Sequence, residues 1–111
     1  MKIERVNAEL KRELSILISY GIKDPRIDSA AIGVMQVDTT KDLKYAKVYV
    51  TISQTEKPKE ILGLLQNSAN FLRGELFKKL RVRSVPELTF VLDESLEYAS
   101  RIEQILKDIN S

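Results

Sequence analysis

The chain has 111 residues, 43% hydrophobic and 31% charged, enough for one domain with a modest core. It contains neither Cys nor His, which excludes disulfides, thiolate chemistry, serine–histidine triads and the commonest transition-metal sites. The formal net charge is +2 but unevenly spread: residues 1–86 hold 16 cations against 10 anions, and residues 87–111 hold 2 against 6.

The opening MKIERVNAEL scatters charges among its apolar positions and is no secretory signal. Nowhere do ~18 apolar residues run together, so no membrane partner is expected and the cytoplasm is the expected compartment. Ile3, Val6, Leu10, Leu14 and Leu17 recur at helical spacing and predict a helix over about residues 2–19, with Gly21 as its stop. On its polar side Arg5 and Glu9 stand four apart, within pairing range. Lys23-Asp24-Pro25-Arg26 is turn chemistry, in which Asp24 caps the turn and Arg26 can pair with it. Strands are predicted over about residues 30–38 and 43–53. In the second, Ala46, Val48, Val50 and Ile52 alternate with Tyr45, Lys47, Tyr49 and Thr51. Only Thr39-Thr40-Lys41-Asp42 separates the two strands, so they pair as an antiparallel hairpin.

Pro58 opens a second helical region that reaches about Leu80, with Ile61, Leu65, Ala69, Leu72, Leu76 and Leu80 on one stripe. Its middle, Gln66-Asn67-Ser68-Ala69-Asn70, is made of weak helix formers that compete for backbone bonds. A kink at Ser68, Ala69 and Asn70 is therefore predicted, giving two short helices. A third strand follows over residues 87–92, and Asp93 is a good N-cap for a last helix to about Ile109. That helix carries Tyr98, Ile102, Ile105 and Ile109 on its apolar side. No long apolar patch remains once core positions are assigned, so a monomer is expected. The order α-β-β-α-α-β-α describes a single α+β domain over residues 1–111. Its three-stranded sheet is covered on one face by helices, and the third strand joins through a helical crossover.

The strongest basic stretch is Arg73, Lys78, Lys79, Arg81 and Arg83, against Glu75 alone. Such a cluster points to a polyanion, the bland alternative being a solvated helix face. Arg73, Lys78 and Lys79 fall off the apolar stripe and are expected to project from the core. The carboxylate pairs Asp24/Asp28 and Asp38/Asp42 sit where turns place Asp anyway, and there is no glycine-rich phosphate loop. Glu94, Glu97 and Glu103 are not spaced to converge on an ion. No metal, cofactor or enzymatic activity is expected.

The α-β-β-α-α-β order is that of the type II KH domain, which clamps single-stranded nucleic acid with a GxxG loop between its middle helices. Here Gly21, Gly33, Gly63 and Gly74 include no pair three apart, so GxxG is absent. Three segments in order resemble the ribosome-binding factor A family, KH-like bacterial proteins of small-subunit assembly. They are Lys23-Asp24-Pro25-Arg26-Ile27, the strand from Asp42 to Val50, and the stretch from Phe71-Leu72-Arg73 through Leu80-Arg81-Val82-Arg83-Ser84-Val85-Pro86 to Phe90. That family replaces GxxG with an Ala-x-Gly kink. Ser68-Ala69-Asn70 stands there instead, with Asn tolerant of a left-handed backbone.

The resemblance implies binding to the immature small (30S) ribosomal subunit, near the 5′-end region of 16S rRNA and the decoding-centre helices. It also implies help in late rRNA processing, a role in cold adaptation, an assembly GTPase as release partner, and no catalysis. The candidate RNA contacts are Arg73, Lys78, Lys79, Arg81 and Arg83, with Lys44 and Lys47 on the hairpin, Arg26 in the turn, and Arg5 and Arg12 on the first helix. Tyr45 and Tyr49 flank Lys47 and either stack bases or cover the sheet. The competing reading is a protein-interaction module that docks a ribosomal or regulatory protein.

Overall fold

The stripe of the first helix folds as α1, Ile3–Tyr20, and buries Leu10, Leu14, Leu17 and Ile18. The computed structural model describes residues 2–80 and 82–110, with side chains described through residue 94 and over residues 102–109. At the C-terminus of α1 the Gly21 amide donates to the Leu17 carbonyl at 2.7 Å. A Cβ on Gly21 would sit 2.7 Å from that same oxygen, so the close approach, not a left-handed turn, requires glycine here.

The next two strands are β1, Ile32–Thr39, and β2, Tyr45–Ile52. The first begins two residues later than its composition predicts, because Asp28 accepts the Ala30 amide at 3.1 Å and draws Ser29–Ala31 into a short 3-10 turn. The hairpin is antiparallel from Ile32↔Ile52 to Thr39↔Ala46, with an irregularity between Val34 and Gln36. In its turn Leu43 adopts a left-handed backbone, φ 62°. That backbone is held by its amide to the Thr40 carbonyl and by Asp42, which accepts the Thr40 hydroxyl and the Lys44 amide.

The long helical region divides into α2, Pro58–Asn67, and α3, Ala69–Lys79. The break is at Ser68, φ −87° and ψ 0°. Its amide bonds the Leu65 carbonyl in a tightened turn, and its hydroxyl donates back to the Leu64 carbonyl, a contact that bends helices. Ala69 and Asn70 belong to the first turn of α3, and Asn70 takes no left-handed conformation. The kink is thus made by serine back-bonding and not by asparagine.

The third strand, β3, spans Glu87–Leu92 and pairs parallel to β2, from Tyr45↔Glu87 to Val50↔Leu92. The sheet order is β1-β2-β3. Val37, Ala46, Val48, Val50, Leu88 and Phe90 point to one face and meet Leu65, Ala69, Leu72 and Leu76 from the kinked helices, with α1 beside them. The last helix, α4, spans Ser95–Asn110. The Asp93 amide, just before it, extends the parallel ladder to the Val50 carbonyl at 2.8 Å. Tyr98 lies outside the residues whose side chains are described, and the described apolar residues of α4 do not join the core. Ile102, Ile105, Leu106 and Ile109 are all exposed, contrary to the expectation that no apolar stripe is left over.

Candidate nucleic-acid interface

The register of the sheet decides where the cations gather. Because Glu87 lies beside Tyr45, the segment that enters β3 arrives at the end of the sheet that carries the β1–β2 turn. The Glu87 amide there donates to the Lys44 carbonyl at 2.9 Å. The N-terminal half of α1 reaches the same end, where Asn7 accepts the Thr39 amide at 3.1 Å. An apolar cleft of about 300 Å³ lies between them, lined by Val6, Leu10, Leu43, Leu80 and Val82, with Arg83 and Glu9 among its lining residues.

Lys44, Arg83 and Arg5 are therefore brought to one end of the molecule, all exposed, and the exposed Arg12 stands two turns further along α1. Arg5 pairs with Glu9 at 3.4 Å, and Arg12 with Glu13 at 3.5 Å. The same Glu13 meets Lys79 from α3 at 3.7 Å and so joins the two helices' cations in one patch. Lys47 stands on the open face of the sheet, opposite Asp38 in β1 and Thr89 in β3. Tyr45 beside it is exposed and Tyr49 half-buried.

Three candidates are placed otherwise. Arg73 does not project: its guanidinium turns back and donates Nη2 to the Val85 carbonyl at 2.9 Å, holding the segment before β3 against α3. Lys79, also expected to project, leans onto α1 through Glu13, while Lys78 does project and pairs with Glu75 at 3.3 Å. Arg26 lies at the opposite end of the sheet, beside Ile52, Ser53 and Ile61. It is gripped by Asp24, which accepts the Arg26 amide and Nε at 3.0 Å and Nη2 at 2.8 Å. Those bonds hold the Asp24 carboxyl below its ordinary value, and the Thr40 hydroxyl does the same for Asp42. Arg81 lies outside the described residues.

Two features escape the sequence reading. Gln66, noted there only as a weak helix former, spans the free edge of β3: its Nε2 donates to the Leu88 carbonyl at 2.9 Å and its Oε1 accepts the Phe90 amide at 2.8 Å. Phe77 lies off the apolar stripe and is 55% exposed on α3. Its departure from the stripe is the signal that could have found it; for Gln66 the sequence carries none.

Four helices and a three-stranded mixed sheet in this order make a KH-like α+β domain. The ribosome-binding factor A family model matches residues 2–106, and the chain belongs to that family. It is 41% identical over 109 residues to a ribosome-binding factor A of Caldicellulosiruptor bescii, covering 96% of this chain and 83% of the relative. The fold matches the crystal structure of ribosome-binding factor A from Thermus thermophilus with a TM-score of 0.74 and 28% identity, over 85% of this chain and 98% of that one. It also matches a Thermus thermophilus homology model fitted into a cryo-EM map of a 30S complex. The TM-score there is 0.64 and the identity 29%, over 79% of this chain and 91% of that one.

Proposed function

We propose that this protein binds the small ribosomal subunit through rRNA contacts and assists late maturation and processing of 16S rRNA, with a role in cold adaptation. The observation that carries the reading is the gathering of Lys44, Arg83 and Arg5 at one end, with Arg12 and Lys79 tied together through Glu13 on the adjoining helices, in a fold shared with the Thermus thermophilus protein of the 30S complex. Arg presents a bidentate fork to phosphate and Lys a point charge, and neither needs catalysis to act. Mispaired rRNA helices separate slowly in the cold, and a protein that binds one arrangement selectively shifts the population toward it. The chain acts as one KH-like unit over residues 1–111, as a monomer in the cytoplasm, with an assembly GTPase as release partner.

The test is co-sedimentation with purified small subunits across a salt series, comparing wild type with Lys44→Glu plus Arg83→Glu. If ~4–5 phosphates are neutralised, log affinity falls against log salt with a slope of roughly −3 to −4, and the charge reversal abolishes pelleting. A second reading, docking of a ribosomal or regulatory protein, draws on the exposed Ile102, Ile105, Leu106 and Ile109 of α4. It predicts pelleting that ignores salt, tolerates the reversal and is lost in Ile105→Glu.

A further inference from the structure

The core-facing side of α3 is filled by Ala69, Leu72 and Leu76, all buried. Two large apolar side chains remain on the other side: Phe71 at 45% exposure and Phe77 at 55%. They stand three residues before and after Gly74, about 60° to either side of it and ~4.5 Å along the axis each way. Gly74 is exposed and a Cβ there would meet nothing within 4 Å, so the helix backbone between the rings is bare. Lys78 shares this exposed face, one turn beyond Gly74.

We infer that Phe71, Gly74 and Phe77 form a stacking surface for unpaired nucleobases of rRNA, with Lys78 taking a neighbouring phosphate. The inference rests on the small-subunit reading above and adds to it a contact that does not depend on charge. About half of each ring lies in solvent outside the core, and each offers a flat apolar face to any base. The glycine between them lets the sugar–phosphate backbone approach the helix without a side chain in the way. Lys78 stands on this face with only the exposed pair to Glu75, and Lys79 follows it in sequence, a cationic setting that favours a polyanion over an apolar protein segment as occupant.

Charge and stacking contacts separate in a salt series, because only charge contacts release counterions. Co-sedimentation with small subunits is measured for wild type, for Phe71→Ala plus Phe77→Ala, for Phe71→Leu plus Phe77→Leu, and for Lys78→Gln. Stacking predicts that the Ala pair weakens binding about ten- to hundredfold at every salt concentration with the slope unchanged. The Leu pair, which keeps apolar area without a π-face, loses nearly as much, and Lys78→Gln flattens the slope by about 0.7, the single-strand value per phosphate. Wild-type affinity in the Ala pair overturns the inference. So does retained affinity in the Leu pair, which assigns the rings to an apolar protein contact. If wild type pellets but the rings are silent, only the stacking surface falls; if wild type does not pellet, the small-subunit reading falls with it.

Discussion

At the scale of single residues, burial and close approach decide what can change. Leu72 is fully buried between α3 and the sheet, and Leu72→Ala leaves a cavity there. We expect a loss of about 2–5 kcal/mol, read as a lower urea midpoint with unchanged m-value. Gly21→Ala pushes a methyl group against the Leu17 carbonyl and is expected to cost about 1–2 kcal/mol in the same assay. Asp24 and Asp42 are held below the ordinary carboxylate range by the Arg26 guanidinium and the Thr40 hydroxyl. A lowered folded-state value means that the stability they confer is present above an unfolded-state pKa of about 3.9 and fades as pH falls through the lower value. The chain has no His, so the thermal midpoint is expected to stay level between about pH 5.5 and 7.5 and then drop into acid. In Asp24→Asn the acid drop is shallower.

At the scale of elements, the parts legible in the sequence were those set by local periodicity. The third strand falls on residues 87–92 as its alternation indicates, and the long helix breaks where Ser and Asn cluster. What periodicity cannot supply is the partner. It shows that Arg73 and Lys79 lie off the stripe, but not that one reaches the Val85 carbonyl and the other an acid on α1. Nor does an amphipathic pattern show that a helix packs: α4 has the pattern, yet its described apolar side chains face water. Because Ile105 packs on nothing in the core, Ile105→Glu is expected to move stability by no more than about 0.5 kcal/mol, checked by chemical denaturation. A core isoleucine so changed would unfold the protein.

At the scale of the whole molecule, the parallel strand β3 carries the chain away from the cationic end before α4 begins. Six residues of strand span roughly 17–20 Å, about twice the screening length of roughly 8 Å at physiological salt. Apart from Glu87, which stands at the cationic end itself, the acids of the last segment begin a strand's length away, beyond the screening length. Replacing Glu94 and Glu103 with Gln is expected to change small-subunit affinity less than about twofold at 0.15 M salt, by co-sedimentation.

The glutamine on the free edge of β3 has a consequence for solubility. An open strand edge is a template on which further chains can add and grow. Gln66 occupies that place with its own amide, satisfying the carbonyl of Leu88 and the amide of Phe90 as an incoming strand would. Removing the amide leaves a short ladder of unmet donors and acceptors beside an apolar sheet. A concentrated solution of Gln66→Ala is then where fibrous self-association would first be seen, in a protein otherwise kept apart by its charges.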